Sequence, residues 1–221
     1  MRCLRTIGIS LRANTILFNE KILRRTNPPY EHVTQIGDPT LRKISEDVPI
    51  DKIRSPEIQK IIAILQYVLK HYGSVGMSAP QIGINKRIFV MRHTIKEIKS
   101  ELPEIIKSRC MYEIPLTVYV NPRLKVLDYE KVVHTEGCES IRSFQAEVAR
   151  YKAVKISGYN SDGDETCHSY HGWPARIVQH EMDHLDGKLY TDIMDRKSLQ
   201  CICWDEVNLS KGKIAIPFRP D

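Results

Sequence analysis

The sequence predicts an α+β domain, because two long helical patterns are separated by a run of short strand-like segments. The helical patterns cover residues 55–73 and 173–186, and the strand-like segments lie between them. Helix and strand patterns do not alternate regularly, so a sheet of repeated β-α-β units is not expected. A chain of 221 residues is long enough to bury one large core without disulfide bonds.

The first helix is predicted by apolar residues that recur at helical spacing. These residues are Ile58, Ile61, Ile62, Leu65, Val68 and Leu69. Ser55 is suited to the N-cap, Pro56 to the first turn and Gly73 to the C-terminal stop. We therefore expect an amphipathic helix that packs one face against the rest of the domain.

Five short segments have the β-branched and aromatic composition of strands. They are residues 88–91, 117–120, 124–127, 148–157 and 166–170. Asn160, Ser161, Asp162 and Gly163 are turn-forming residues between the last two segments, which are therefore expected to form a hairpin.

The second helix carries His180, Glu181 and His184, with Pro174 in its first turn and Gly187 at its stop. Residues four apart share one face of a helix, so both imidazoles can reach one ion. A carboxylate beside the first histidine is placed to act as a general base on water at that ion. A merely solvated polar face is disfavoured, because apolar residues surround the motif and indicate a buried helix. Those residues are Ile177, Val178, Met182 and Leu185.

The third metal ligand is left open by the helix alone. A metzincin-like protease would need a histidine where this chain has Tyr190. Glu206 is roughly placed for a thermolysin-like zinc endopeptidase, which remains an alternative. Cys138 is the competing candidate, since a thiolate with two imidazoles leaves the fourth position of a catalytic zinc-type site open.

The formal charge of +6 is concentrated at the N-terminus, where residues 1–26 contain six Lys or Arg against Glu20 alone. This Arg-rich, acid-poor segment predicts a mitochondrial transit peptide over residues 1–26. The remaining 195 residues carry about +1, which argues against direct nucleic-acid binding. No apolar run approaches the roughly 18 residues of a membrane-spanning helix, so membrane insertion is not expected.

The six cysteines are expected to stay reduced, because the sequence has no secretory signal and a chain of 221 residues does not need disulfide bonds for stability. Cys201 and Cys203 lack the two-residue spacer of a redox or zinc-knuckle pair. We expect them to be buried or partly buried thiols.

Three segments together resemble the peptide deformylase family. Residues 74–83 are similar to its G-x-G-x-A-A-P-Q stretch, residues 136–140 to E-G-C-L-S, and residues 179–187 to Q-H-E-x-D-H-L-x-G. They occur in the family's order, and residues 37–42 match its usual opening, so the resemblance covers about residues 33–195. Ser74, Ser78 and Glu139 replace a glycine, an alanine and a leucine of the pattern, and these versions are similar to animal mitochondrial members.

The resemblance implies a central helix carrying the two histidines, surrounded by antiparallel sheets, within a single catalytic domain over residues 27–221. It implies a metal-dependent hydrolase that removes the N-formyl group from the formylmethionine of newly made proteins and releases formate. Cys138, His180 and His184 would hold one divalent ion, Fe²⁺ or Zn²⁺, with Co²⁺ or Ni²⁺ as replacements in vitro. Glu181 would be the general base, and the Gln81 amide with the backbone N–H of Glu139 would stabilise the oxyanion.

The same resemblance implies the substrate contacts. The segment Val75–Met77, which includes Gly76, would pair with an extended formyl-Met nascent peptide. Val75, Glu136 and Trp173 would lie near its methionine pocket. The expected location is the mitochondrial matrix, with transient proximity to the mitochondrial ribosome. A catalytically weak, metal-bound adaptor is a further alternative, because Glu139 places an extra carboxylate beside the metal. The segment after about residue 197 lies outside the strongest resemblance, and its role is left open.

Overall fold

The computed structural model of the protein describes residues 27–220, so the predicted transit peptide lies outside the described residues. The helices in this range are α1 (Pro56–Tyr72), α2 (Ile95–Ile98), α3 (Pro103–Ser108), α4 (Gly172–Leu185) and α5 (Trp204–Leu209). The strands are β1 (Gly76–Ser78), β2 (Ile88–His93), β3 (Ile114–Gly137), β4 (Phe144–Tyr159), β5 (Glu165–His171) and β6 (Gln200–Cys201). None of the helices in residues 27–220 combines the length and apolar character that a membrane crossing needs.

Helix α1 begins and ends where the sequence predicts. The Ser55 hydroxyl accepts a hydrogen bond from the N–H of Ile58 at 3.4 Å, which caps the first turn. Gly73 ends the helix with a φ of 65°, a left-handed conformation that glycine adopts without steric cost. All six apolar residues of the predicted stripe are buried.

The strands form one antiparallel sheet with the order β1-β2-β3-β4-β5, and β6 pairs with β4. The α+β class is therefore confirmed, although a single sheet takes the place of several. The expected strands 117–120 and 124–127 are parts of one strand, β3, of 24 residues. Asn121 and Pro122 suggest a break in the sequence, but they lie at an irregularity in the β3–β4 register. A bulge tolerates a proline without a ladder hydrogen bond, so the strand continues beyond it.

The sheet is covered by a long helix on each face, which places α4 inside the domain. Alternate residues of β2 face opposite sides, as strand geometry requires. Ile88 and Val90 pack in the core cluster that contains α1, and Phe89 and Met91 pack in the cluster that contains α4. This burial on both faces makes β2 the apolar centre of the fold.

Truncating the buried face of α1 is predicted to destabilise the domain. Leu65 is fully buried, so Leu65→Ala should lower the free energy of unfolding by about 2–5 kcal/mol through lost contacts and a residual cavity. Lys60→Ala on the exposed face of the same helix should change it by less than about 0.5 kcal/mol. Urea unfolding followed by circular dichroism measures both. Equal effects of the two substitutions would contradict the packing of α1 described here.

Candidate metal centre and active site

Helix α4 presents His180 and His184 on one face, as their spacing predicts. The centroids of the two imidazole rings lie 5.0 Å apart. Both residues lie in the C-terminal half of α4, where most of their neighbours are buried, and His184 is 1% exposed. Both rings can therefore bind the same ion, and bulk water does not surround them.

Cys138 joins the two histidines from the end of β3. Its Sγ atom lies 3.3 Å from Nε2 of His184. Among residues 27–220, Cys138, His180 and His184 form the group whose possible ligand atoms all lie within 4.8 Å of one another. Tetrahedral zinc bonds of 2.0–2.3 Å would separate a sulfur and a nitrogen ligand by about 3.5 Å. The donor types and their separation therefore fit one divalent ion.

Glu136 contacts the imidazole ring of His180, one of the three candidate ligands. Its Oε2 atom lies 3.0 Å from Nδ1 of His180. Arg150 donates to both carboxylate oxygens at 2.9 and 3.0 Å, and Arg176 donates to Oε1 at 2.6 Å. Burial alone would raise the pKa of Glu136, but hydrogen bonds from His180 and Arg150 lower it well below its ordinary value. The charged carboxylate orients His180 so that its other nitrogen faces Cys138.

The sequence resemblance places Glu136 near a methionine pocket, whereas this structure shows its side chain only 4% exposed and held by two guanidinium groups. Its observed contacts are those of a residue that positions a metal ligand. Direct contact between Glu136 and a peptide stays a prediction.

Glu181 is the buried carboxylate beside the three candidate ligands. It is 3% exposed, and its Oε2 atom has no hydrogen-bond partner among the described residues. Burial raises the pKa of Glu181 to about 7, against the opposing charge of His180. Gly76 lies so close that a Cβ atom there would overlap the Glu181 carboxylate. An unpaired carboxylate oxygen in this position can accept a proton, or a hydrogen bond from a water molecule.

Gln81 directs its amide nitrogen at the metal group. Its Oε1 atom accepts hydrogen bonds from the backbone N–H of Ser78 at 2.9 Å and from the Ser78 hydroxyl at 3.0 Å. A backbone N–H can only donate, so the atom facing Ser78 is the amide oxygen. The amide nitrogen then lies 3.6 Å from Sγ of Cys138 and 3.3 Å from Oγ of Ser140. The serine that departs from the family pattern at position 78 therefore helps to fix this amide.

Glu139 follows Cys138 at the start of a 3-10 turn, Glu139–Ile141. The first N–H of such a turn has no partner inside it, so it is free to bind another acceptor. The side chain accepts a hydrogen bond from the Ser74 hydroxyl at 3.4 Å. Burial raises the pKa of Glu139, while Arg142 and Ser74 act in the opposite direction. Two departures from the family pattern, Ser74 and Glu139, thus contact each other.

Val75 and Trp173 are partly buried and pack against the same apolar cluster as α4. The guanidinium carbon of Arg109 lies 4.4 Å from the centre of the Trp173 ring. Met77 is fully buried in the neighbouring cluster. Glu206 lies exposed on α5 and does not join the metal group.

Sequence reasoning missed the residues that hold the site in place, namely Ser78, Arg150, Arg176, Gln179 and Asp183. The serine is visible as a departure from the family pattern. The burial of two arginines is not visible in a sequence, because their partners come from distant segments.

Comparisons with known proteins all point to one family. A family model described as polypeptide deformylase matches residues 30–200. The chain is 39% identical over 196 residues to a mitochondrial peptide deformylase of Homo sapiens, covering 85% of this chain and 77% of that protein. The structure of peptide deformylase from Thermotoga maritima matches with a TM-score of 0.61 and 30% identity, over 76% of this chain and 99% of that one. A Met-Ala-Ser-bound class I type b peptide deformylase from Acinetobacter baumannii matches with a TM-score of 0.63 and 27% identity, over 73% and 97%.

Removing the thiol is predicted to abolish tight metal binding. Cys138→Ala leaves two imidazoles without their third donor, so metal content after dialysis should fall from one ion per chain to a small fraction. Elemental analysis of the dialysed protein measures this. Cys167→Ala, which removes an exposed thiol on β5, is the matched control and should retain the full metal content. Full retention in Cys138→Ala would contradict the ligand set.

Neutralising Glu136 is predicted to weaken both the fold and the metal centre. Glu136→Gln leaves Arg150 and Arg176 with Asp183 as their one carboxylate partner, so one buried positive charge is uncompensated, which should lower the free energy of unfolding by about 3–5 kcal/mol. Metal affinity should fall by about 10–100-fold, because His180 loses its partner. Glu130→Gln is the control on the same strand, since its exposed contact with Lys152 contributes less than about 1 kcal/mol. Chemical unfolding measures the free energy of unfolding of both variants, and metal titration measures their metal affinity. Equal free energies and equal affinities for the two variants would refute the role of Glu136.

Proposed function

This chain belongs to the peptide deformylase family, and from that premise we propose which of its residues carry the reaction and where it acts. As a peptide deformylase it removes the N-formyl group from newly made proteins that begin with formylmethionine. The endopeptidase alternative is wrong, because the family match overturns it and Glu206 lies outside the metal group. One observation carries the assignment of roles: a thiol, two imidazoles, a buried carboxylate and a fixed amide converge beside α4.

Cys138, His180 and His184 are the residues that hold the divalent ion on which the family depends. The Cys/His₂ donor set accepts Fe²⁺ or Zn²⁺, and Co²⁺ or Ni²⁺ can replace them in vitro. A divalent ion in this position supplies Lewis acidity, which polarises a carbonyl and makes water a stronger acid. The fixed orientation of His180 by Glu136 supports this assignment.

Glu181 is the general base and then the general acid. Its unpaired Oε2 atom accepts a proton from the attacking water, and the same group returns the proton to the leaving amine. Burial supports the role, because it weakens the acidity of the carboxyl group and so makes its anion a better base. Its position next to His180 in α4 keeps it within reach of the reacting water.

Gln81 and Glu139 stabilise the negative charge that develops on the formyl oxygen. The amide nitrogen of Gln81 is held in place by Ser78 before substrate arrives. The backbone N–H of Glu139 is the second donor. Preorganised donors of this kind contribute about 3–4 kcal/mol each in other acyl-transfer enzymes.

The outer edge of β1 is the proposed peptide-binding strand. β1 is the terminal strand of the described sheet and pairs only with β2, so its other edge can pair with an extended peptide. Gly76 keeps this edge free of a side chain beside Glu181. Val75 and Trp173 are the proposed contacts near the methionine side chain. Met77 is proposed to pair with the peptide through its backbone, because its side chain is buried. Glu136 is the support of His180.

The relative from Acinetobacter baumannii is bound to Met-Ala-Ser, the peptide that remains when formyl-Met-Ala-Ser loses its formyl group. We therefore expect formyl-Met-Ala-Ser to be a substrate of this chain. The mitochondrial name of the human relative and the basic residues 1–26 support a location in the mitochondrial matrix. Transient proximity to the mitochondrial ribosome follows from a substrate that is a nascent chain.

Removing the base is predicted to abolish turnover without removing the metal. Full-length protein loaded with iron(II) or cobalt under anaerobic conditions should release formate from formyl-Met-Ala-Ser. Glu181→Ala should lower kcat by about 10²–10⁴-fold, because the other buried carboxylate among residues 27–220, Glu136, is already paired with two guanidinium groups. Its metal content should match that of the parent protein. Glu57→Gln, an exposed carboxylate on α1, is the control and should keep the parent rate.

Two outcomes would contradict the assignment. Unchanged turnover in Glu181→Ala would exclude Glu181 as the base. A parent protein that binds one metal ion and releases no formate would favour the adaptor alternative or an inhibitory Glu139 side chain. Glu139→Leu then separates these two, because turnover would appear only if the side chain is inhibitory.

A further inference from the structure

Cys201 and Cys203 bring two sulfur atoms together at the point where β6 meets α5. Their Sγ atoms lie 3.4 Å apart, and both residues are partly exposed. The expectation of partly buried thiols is thereby met, but their mutual contact is not visible in the sequence. Neither residue belongs to the metal group.

The contact is held by the backbone on both sides. Cys201 pairs with Phe144 of β4, and the N–H of Ile202 donates to the carbonyl of Ser143 at 2.9 Å. The carbonyl of Cys203 accepts from the N–H of Val207 at 3.0 Å, which anchors it as the N-cap of α5. The two sulfurs are thus carried by a strand and by a helix start, so their approach is a property of the fold.

The other described cysteines differ from this pair. Cys110 and Cys167 are exposed, and Cys138 belongs to the metal group. Within residues 27–220, only Cys201 and Cys203 have sulfur atoms in contact with each other. When one thiol forms a mixed disulfide, a neighbouring thiol can attack it and close an intramolecular disulfide. An isolated thiol has no such neighbour and stays in the mixed disulfide.

We propose that Cys201 and Cys203 are a dithiol site that closes to an intramolecular disulfide by exchange with a low-molecular-weight disulfide such as oxidised glutathione. In the first step the thiolate of Cys201 attacks one sulfur of the small disulfide, forms a mixed disulfide and releases one thiolate. In the second step the thiolate of Cys203 attacks the sulfur of Cys201 and releases the other. Two protein thiols are oxidised, the small disulfide is reduced to two thiols, and the two protons pass to the released thiolates.

The order of attack follows from the contact between the two thiols. The hydrogen bond with Cys201 raises the pKa of Cys203, which favours Cys203 as the thiol that acts second. The second step is intramolecular between held groups, which makes it faster than attack by a second small disulfide. A ring closed by so few residues is strained, so the bond should be readily reduced again.

Peptide mapping tests the proposal on the metal-loaded, full-length protein. After treatment with oxidised glutathione, acid quenching and alkylation, trypsin releases both cysteines in one peptide, residues 198–211. Cys110 and Cys167 fall in two other peptides, residues 110–123 and 156–176, and serve as internal controls. We expect peptide 198–211 to lose two hydrogens and to carry no glutathione. The two control peptides should carry glutathione adducts, and dithiothreitol should restore all three thiol forms.

The variant Cys203→Ser separates exchange at a pair from modification of single thiols. Without the resolving thiol, peptide 198–211 should retain one glutathione on Cys201. A glutathione adduct on this peptide in the parent protein, or unmodified thiols there while Cys167 is fully modified, would overturn the proposal. A disulfide that links peptide 198–211 of the parent protein to a peptide with another cysteine would equally overturn it, because the partner of Cys201 would then not be Cys203.

Discussion

The charge balance around Glu136 is the interaction on which the metal centre depends. A lone carboxylate buried to this degree would be strongly disfavoured in its charged form. Here Arg150 and Arg176 surround it, and Arg150 also donates to Asp183 of α4, so two cations face two anions. Each charged group of this network has an oppositely charged partner, and the Glu136 carboxylate that the network stabilises also binds the ring of His180. A candidate metal ligand is thus oriented by ion pairs whose residues lie outside the group of Cys138, His180 and His184.

The same network sets the position of α4 against the sheet. Arg176 donates to the backbone carbonyls of Val132 on β3 and Val148 on β4 at 2.6 and 2.8 Å. The amide of Gln179 bonds both the N–H and the carbonyl of Tyr151 at 2.9 and 2.8 Å. In these contacts, side chains of the helix form hydrogen bonds with backbone groups of the strands. The contacts therefore define the rotation of α4 about its axis. With that rotation established, its histidines meet the cysteine at the end of β3.

The departures from the family pattern are explained as pairs and not as isolated changes. Ser78 holds the oxygen of the Gln81 amide, so a hydroxyl adds a second donor to the one that the backbone supplies. Ser74 donates to the carboxylate of Glu139, which gives the partly buried acid a neutral partner. Both pairs lie beside the metal ligands, where preorganisation of donors and charge has its largest effect on chemistry.

The sequence by itself determined α1 and α4 with their ends, and it predicted the three candidate metal ligands that the structure brings together, because caps, helical spacing and local motifs depend on residues close along the chain. It did not reveal the unbroken course of β3 past Pro122, since continuation there depends on pairing with β4. Nor did it reveal the arginines around Glu136 or the contact between Cys201 and Cys203. Only the tertiary structure decided these features, because burial removes water as a partner, and the groups that replace it come from segments far apart in the chain.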